Sequence, residues 1–401
     1  MIFCNHTSSA LYFPSATAIP DAVWKELQVS ENPYFTIDYL TALEENNAHI
    51  EFSYIVILDD AQKAIALALI KVVDFSTELL ESSLEKGLTK LQCLSRQFFS
   101  KRQQTLKLLV CGNTFVSGEH GIFIKEQHDQ KQVFNALSKA IVSLVNENKH
   151  LKKTVSAYLV KDFRNESLHN ANQLYGASYY SFLVEPNMVL TIDPSWRTFD
   201  DYLAAMKTKF RVKANKASKQ SVGLTVQEVT SENIAEQLPA MTALYKKVAS
   251  KAAFNLGEFN LKTYVALKKK LGDRYLLKTY WLDNVIVGFL SGLRTNDSLD
   301  AHFVGIDYAF NKSHAIYQRM LYDYIETAIA YRVQTLNFGR TASEIKSSVG
   351  AIPQDLTCYM RHKKSIANRF LKPFIQYIEP TPFQQKLPFK AKKDTLKTAV
   401  V

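Results

Sequence analysis

The chain is predicted to be an α/β (α+β) protein built as two similar units in tandem, each a mixed central sheet flanked by helices. Two observations predict this. The order hairpin, strand, loop, helix, strand occurs twice along the chain, with apolar residues alternating in the strands and recurring at helical spacing in the helices. The 401 residues, 47% hydrophobic and 22% charged, are too many for one comfortable core and suit two of about 150–200 residues.

In the first unit, Asn32–Asn46 opens on an Asn-Pro turn and continues as a short helix with Phe35, Leu40 and Leu43 as its apolar members. The β runs Glu51–Leu58 and Ala64–Val73 form a hairpin across Asp59–Lys63, and the unbroken apolar run Ala64–Leu69 predicts burial on both faces. Thr77–Gln104 is charged and predicted helical, with a leucine stripe packing on the sheet. The strand Leu106–Cys111 then enters CGNTFVSGEHG, which carries Gly112, Gly118 and Gly121, and a helix follows, marked by Val133, Leu137, Ala140, Ile141, Leu144 and Val145. The strand Val155–Val160, a helix over Glu166–Tyr175 and a β run at Ser178–Val184 complete the unit.

The second unit repeats the pattern as Tyr275–Trp281, a turn at Asp283-Asn284, Val285–Gly292, Asp300–Ile306, a loop, the helix Ile316–Ile329 and Thr335–Phe338. Pro186 separates Ser178–Val184 from a further β run at Met188–Ile192, which sets the domains at 1–185 and 186–364 and leaves 365–401 as a basic extension.

Net charge is +11, which favours a polyanionic partner such as RNA, an anionic lipid headgroup or a pyrophosphate-bearing ligand; solvated lysines are the alternative. Lys207–Lys219 holds six basic residues and no acid, read either as a phosphate-contacting helix or as a solvated one. The four cysteines are scattered and the nine histidines do not cluster, so neither a disulfide framework nor a metal site is expected. The first 20 residues lack a secretory signal pattern and no apolar run reaches about 18 residues, so no transmembrane segment and a cytoplasmic location are expected.

Candidate site residues come from strand and helix ends. The loop that opens the Ile316–Ile329 helix presents unpaired N–H groups, an anion seat near Asn311, Lys312, Ser313 and His314, with Ser313 the natural N-cap. On the strand Ala301–Asp307, alternation puts Asp300, His302, Val304 and Ile306 on one face; His302 is the leading candidate base and Asp307, at the strand end, the second. Arg340 follows a strand end and Gly339, which places a guanidinium suited to carboxylate or phosphate at the carboxyl edge of the sheet.

Three stretches carry a family resemblance: FGR at Phe338–Arg340, the K-x-x-x-G of Lys346 and Gly350, and the basic Lys207–Val226, with its K-x-R…A-x-x-x-G-V-x-V pattern. With NPYF and ALE in Asn32–Asn46, they resemble the FemAB-like branch of the GNAT superfamily, which includes peptidoglycan biosynthesis/recognition acyltransferases. The resemblance implies tandem GNAT-like domains with a cleft between them, and an N-acyltransferase. Its donor would be acyl-CoA or aminoacyl-tRNA as co-substrate, with no tightly bound cofactor. Its acceptor would be a small molecule or an envelope precursor, with tRNA as a further partner; separately, the basic, proline-punctuated tail after Lys364 suggests peripheral contact with an anionic membrane face. Lys346 would then neutralise substrate or developing charge, and Arg211, Arg340 and Lys346 would bind substrate. One departure is plain: Tyr308–Ala315, where GNAT enzymes carry R/Q-x-x-G-x-G/A, has no glycine. That departure favours the alternative, a non-catalytic module of the same fold binding a nucleotide-linked sugar or RNA.

Overall fold

The computed structural model describes residues 9–76, 105–251, 256–375 and 378–391, so the predicted helix Thr77–Gln104 lies outside the described residues. The strands are β1 (Ala10–Phe13), β2 (Glu51–Leu58), β3 (Ala64–Ser76), β4 (Thr105–Cys111), β5 (Ile122–Ile124), β6 (Val155–Phe163), β7 (Tyr180–Thr191), β8 (Thr225–Glu228), β9 (Tyr275–Leu282), β10 (Val285–Arg294), β11 (Ser298–Ile306), β12 (Thr335–Asn337) and β13 (Ile352–His362). All 13 form one sheet in the order β1-β2-β3-β4-β6-β13-β7-β12-β11-β10-β9-β8, with β5 continuing the pairing of β4 on β3.

That order is a palindrome of the two predicted units. In the first, β4 and β6 pair in parallel; in the second, β11 and β12 do. The last strand of each unit then crosses to the other: β7 pairs antiparallel with β12, β13 pairs with β6, and β7 and β13 pair with each other at the centre. The two halves are therefore joined through exchanged strands rather than a linker.

The predicted break at Pro186 falls inside β7. A bulge there, between the pairs Leu356↔Val184 and Gln354↔Asn187, accommodates a residue that has no N–H to give the ladder.

The principal helices are α1 (Asp21–Leu27), α2 (Ile37–Asn46), α3 (Gln130–Glu147), α4 (Phe199–Ala205), α5 (Thr208–Gln220), α6 (Ile234–Ala249), α7 (Thr263–Leu271), α8 (Tyr308–His314), α9 (Ile316–Ala330), α10 (Ser343–Ser348) and α11 (Ser365–Ile375). Alternate strand residues enter different cores, as β2 shows: Tyr54, Val56 and Leu58 pack with α1, α2, α6 and α7, while Ile55 and Ile57 pack with α3. The first of these cores runs under both halves, and a third, over β7 and β9–β12, is closed by α4, α5 and α9. No helix among the described residues is long and apolar enough to cross a membrane.

Candidate functional site

The two parallel strand pairs both come apart part-way along. β11 pairs with β12 only over Ser298–Asp300 and then runs on to Ile306 with β10 as its one strand partner among the described residues, so the sheet opens beside Ala301–Ile306. In the first half, β4 stops at Cys111 while β6 continues to Phe163, and the loop 112–121 fills the opening. Close packing explains its glycines: a Cβ on Gly121 would lie 2.2 Å from Gly112 Cα, and one on Gly112 2.2 Å from Lys161 Cγ.

A β-bulge stands at each opening. On β6, Lys161 and Asp162 together oppose Cys358 of β13, and Asp162 takes φ +71°, a left-handed conformation that aspartate tolerates better than most residues. On β11, His302 and Phe303 together oppose Ser291, whose hydroxyl donates to Phe303 O at 2.8 Å. The second bulge corrects the predicted alternation: Asp300, His302 and Phe303 face the shared core, and Val304 packs on the opposite side.

The side chains at these bulges belong to two buried polar groups on either side of Gly118. The Asp162 carboxylate pairs with Lys161 and with Arg340 and accepts from Gly118 N–H at 3.2 Å. Burial pushes its pKa up, but the charges of Arg340 and Lys161 outweigh that and hold it below the usual carboxylate range. Lys161 also donates to Asn113 O at 2.7 Å and Val116 O at 3.2 Å, tying the loop down.

On its other side Gly118 faces His120 and Asn187, whose nitrogens would lie 3.3 and 3.4 Å from an added Cβ. His120 Nε2 stands 3.6 Å from Asp300 Oδ2. Tyr34 from the NPYF stretch closes the set, donating to Asp300 Oδ2 at 2.9 Å, meeting His302 Nε2 at 2.9 Å, and lying against the His120 ring with centroids 4.1 Å apart. Burial lowers the pKa of His120 against the pull of Asp300; burial and then His120 bring that of His302 down to about 3. Both imidazoles are therefore neutral near pH 7. The His120 side chain is 14% exposed, and His302 is also part-exposed, while Tyr34 and Asp300 are buried.

The residues singled out in the sequence are thus dispersed. His302 belongs to the group around Tyr34 and Arg340 to the group around Asp162, where it is 19% exposed and bonded to that carboxylate, its Nε buried with no partner among the described residues. Lys346, on α10, is 4% exposed and gives its protons to Phe338 O, Gly339 O and Arg340 O at 2.8, 3.2 and 2.7 Å. It holds the turn that carries Arg340. Burial brings its pKa down to about 7, which those three acceptors oppose.

Asp307 caps α8 through Ala309 N–H at 3.1 Å and pairs with Lys247 Nζ at 2.9 Å, a bond that holds its pKa low. Arg211 lies on α5, which packs on α4, α8 and α9, and no described hydrogen bond or ion pair joins it to Arg340 or Lys346.

The predicted loop Tyr308–Ala315 is corrected to a helix, α8, followed by Ala315 at φ +48°. Ser313 is not the cap of α9: its hydroxyl donates to Phe310 O at 3.1 Å and contacts His314 Nδ1 at 2.9 Å, while Asn311 Oδ1 accepts from Tyr317 N–H at 2.9 Å. Lys312 stays exposed.

Sequence reasoning missed Tyr34, His120, Lys161, Asp162 and Asp300 as site members. One signal was present: adjacent Lys161 and Asp162 follow an apolar strand with no turn residue before Phe163, which marks charges on a buried strand.

A family model described as peptidoglycan biosynthesis/recognition, FemAB-like, matches residues 107–389. No curated protein matches. Among solved structures, FemX superposes with a TM-score of 0.51 at 12% identity, covering 84% of this chain and 96% of that one. A tandem GNAT protein from the clavulanic acid biosynthesis pathway, solved without AcCoA, superposes with a TM-score of 0.50 at 8% identity, covering 88% and 99%. These two likenesses establish the tandem GNAT architecture, and with the family match over most of its length, the chain belongs to the FemAB-like family of GNAT-fold acyltransferases.

Proposed function

We propose that the chain joins an acyl or aminoacyl group, carried as an ester or thioester, to an amine of a cell-envelope precursor or similar anionic acceptor. The observation that carries this reading is the parting of β11 from β12 directly beside the Tyr34–His120–Asp300–His302 set. An unpaired strand edge inside a sheet offers backbone donors to a carbonyl in the opening, and the neighbouring imidazole offers a base.

In this reading the amine nitrogen attacks the carbonyl carbon and the tetrahedral intermediate expels the alcohol or thiol. His120 takes the proton lost by nitrogen and returns it to the leaving oxygen or sulfur, while Asp300 stabilises the imidazolium. The part of Arg340 not bound to Asp162 meets the acceptor's anionic groups. Lys346, Lys161 and Asp162 position the turn and the loop without touching substrate.

Helix α8 and the Asn311 cap on Tyr317 N–H occupy the seat where a CoA pyrophosphate would need free amides. They favour an aminoacyl-tRNA ester as donor, with the exposed cations of α5 meeting its phosphates in the cytoplasm, and no tightly bound cofactor. The same closed seat is what a non-catalytic binder of RNA or a nucleotide-linked sugar would show.

Aminoacyl-tRNA and acyl-CoA, each offered with an amine-bearing envelope precursor and followed by mass spectrometry, test the reading. Amide formation from either donor supports transfer. Thermal stabilisation by RNA or nucleotide-sugars, with no product from any donor, establishes the binder instead.

A further inference from the structure

Helix α11 (Ser365–Ile375) has a docked side and an exposed apolar side. On the docked side Asn368, 5% exposed, donates to Ser178 O at 2.9 Å and accepts from His362 N–H at 2.7 Å, and Ile375, 1% exposed, enters the protein seven residues on. At about 100° per residue, Ile366, Phe370 and Pro373 fall within about 60° of one another on the opposite side. Ile366 and Phe370 are each 75% exposed, and Pro373 is exposed.

The charge around that stripe has one sign. Arg361, Lys363, Lys364, Arg369 and Lys372 lie in or beside the helix, and no acidic residue occurs between Asp355 and Glu379. Lys364, Arg369 and Lys372 are exposed. A second copy of the same face would bring like charges together, and an RNA would leave Ile366 and Phe370 unused.

We propose that α11 is a membrane-surface helix, which seats Ile366, Phe370 and Pro373 among the acyl chains of an anionic bilayer and sets Arg369 and Lys372 at its phosphates. The inference goes beyond the transfer reaction and does not rest on it: α11 contributes no residue to the network of Tyr34, His120 and Asp300.

The test is co-sedimentation of the full chain with vesicles of phosphatidylcholine alone and of phosphatidylcholine with about one part in three phosphatidylglycerol. The expected result is binding to the anionic vesicles that weakens with added salt. It should fall about tenfold or more in Ile366→Ser/Phe370→Ser, and also in Arg369→Gln/Lys372→Gln. These side chains are exposed, so folding should survive.

A Phe370→Trp variant gives an independent readout, its emission shifting to shorter wavelength only with anionic vesicles. Four outcomes would overturn the proposal: binding unchanged in both double variants, an indole already shielded in the free protein, concentration-dependent dimerisation abolished by Ile366→Ser/Phe370→Ser, or retention by RNA alone.

Discussion

Asp162→Asn removes one negative charge from between two cations and keeps the shape of the side chain. Asp162 is fully buried, Lys161 is 4% and Arg340 19% exposed, so water does little to replace what is lost. Asparagine tolerates φ +71° as readily as aspartate, so backbone strain is not the variable. What remains is a buried lysine and a largely buried arginine without a counter-ion, and breaking a buried pair from one side costs about 3–5 kcal/mol.

Urea unfolding followed by circular dichroism should show that loss as a lower midpoint. Adding Lys161→Met should lose less than the sum of the single changes, with a coupling of about 1.5–3 kcal/mol, because neither member of that pair then remains charged. The carboxylate pKa is depressed in the folded protein, so its contribution is complete above the unfolded value of about 3.9 and disappears as pH falls through the lower folded value. Asp162→Asn should therefore flatten the acid limb of the stability curve. A single-variant loss below about 1 kcal/mol, or effects that simply add, would refute the claim that this carboxylate joins loop 112–121 to the Arg340 turn.

His302 is held neutral, with its pKa near 3, so the unfolded chain takes up a proton that the folded protein refuses; stability present above about pH 6.5 declines towards pH 3. His302→Gln should remove about 2 kcal/mol of the wild-type decline between pH 7 and pH 5, read from urea midpoints, and an unchanged slope would contradict it. Lys346→Met leaves three carbonyls without their donor, which should cost about 2–4 kcal/mol and speed amide exchange over 338–346. Unaltered exchange there would show that Lys346 does not hold the turn. In Gly305→Ala the new Cβ would lie 2.2 Å from Phe289 Cε1 and 2.8 Å from Leu244 Cβ, so overpacking of about 1–3 kcal/mol should lower the calorimetric Tm. A Tm equal to wild type would mean that β11 has room to shift.

Elements set by local pattern were legible in the sequence. The β2–β3 hairpin, the repeated strand–loop–helix–strand order and the apolar stripe of α9 each follow from periodicity, and the tandem architecture followed from the repeat and the FGR and K-x-x-x-G motifs. The exchange of β7 and β13 was not legible, because nothing local in either strand tells which distant neighbour it will take. The bulges at Lys161–Asp162 and His302–Phe303 shift alternation by one residue and leave no turn signal. Tyr34 and Asp300 are 266 positions apart, so their bond exists only in the folded sheet. Helix α8 was hidden because Tyr308–Ala315 holds the place of a loop in the resembled family, while its own residues contain no breaker and start at the Asp307 cap.

In the proposed transfer, the two halves converge on one site where β11 leaves β12, with His120 moving the proton and Arg340 holding the acceptor. Steady-state transfer from aminoacyl-tRNA to an anionic envelope precursor carrying a free amine, measured for wild type, His120→Gln and Arg340→Ala, tests it most directly. Wild type should give amide product, His120→Gln a kcat lowered about 10²–10⁴-fold with KM kept, and Arg340→Ala a raised KM. Equal rates in all three proteins, or no amide from any donor, would contradict it.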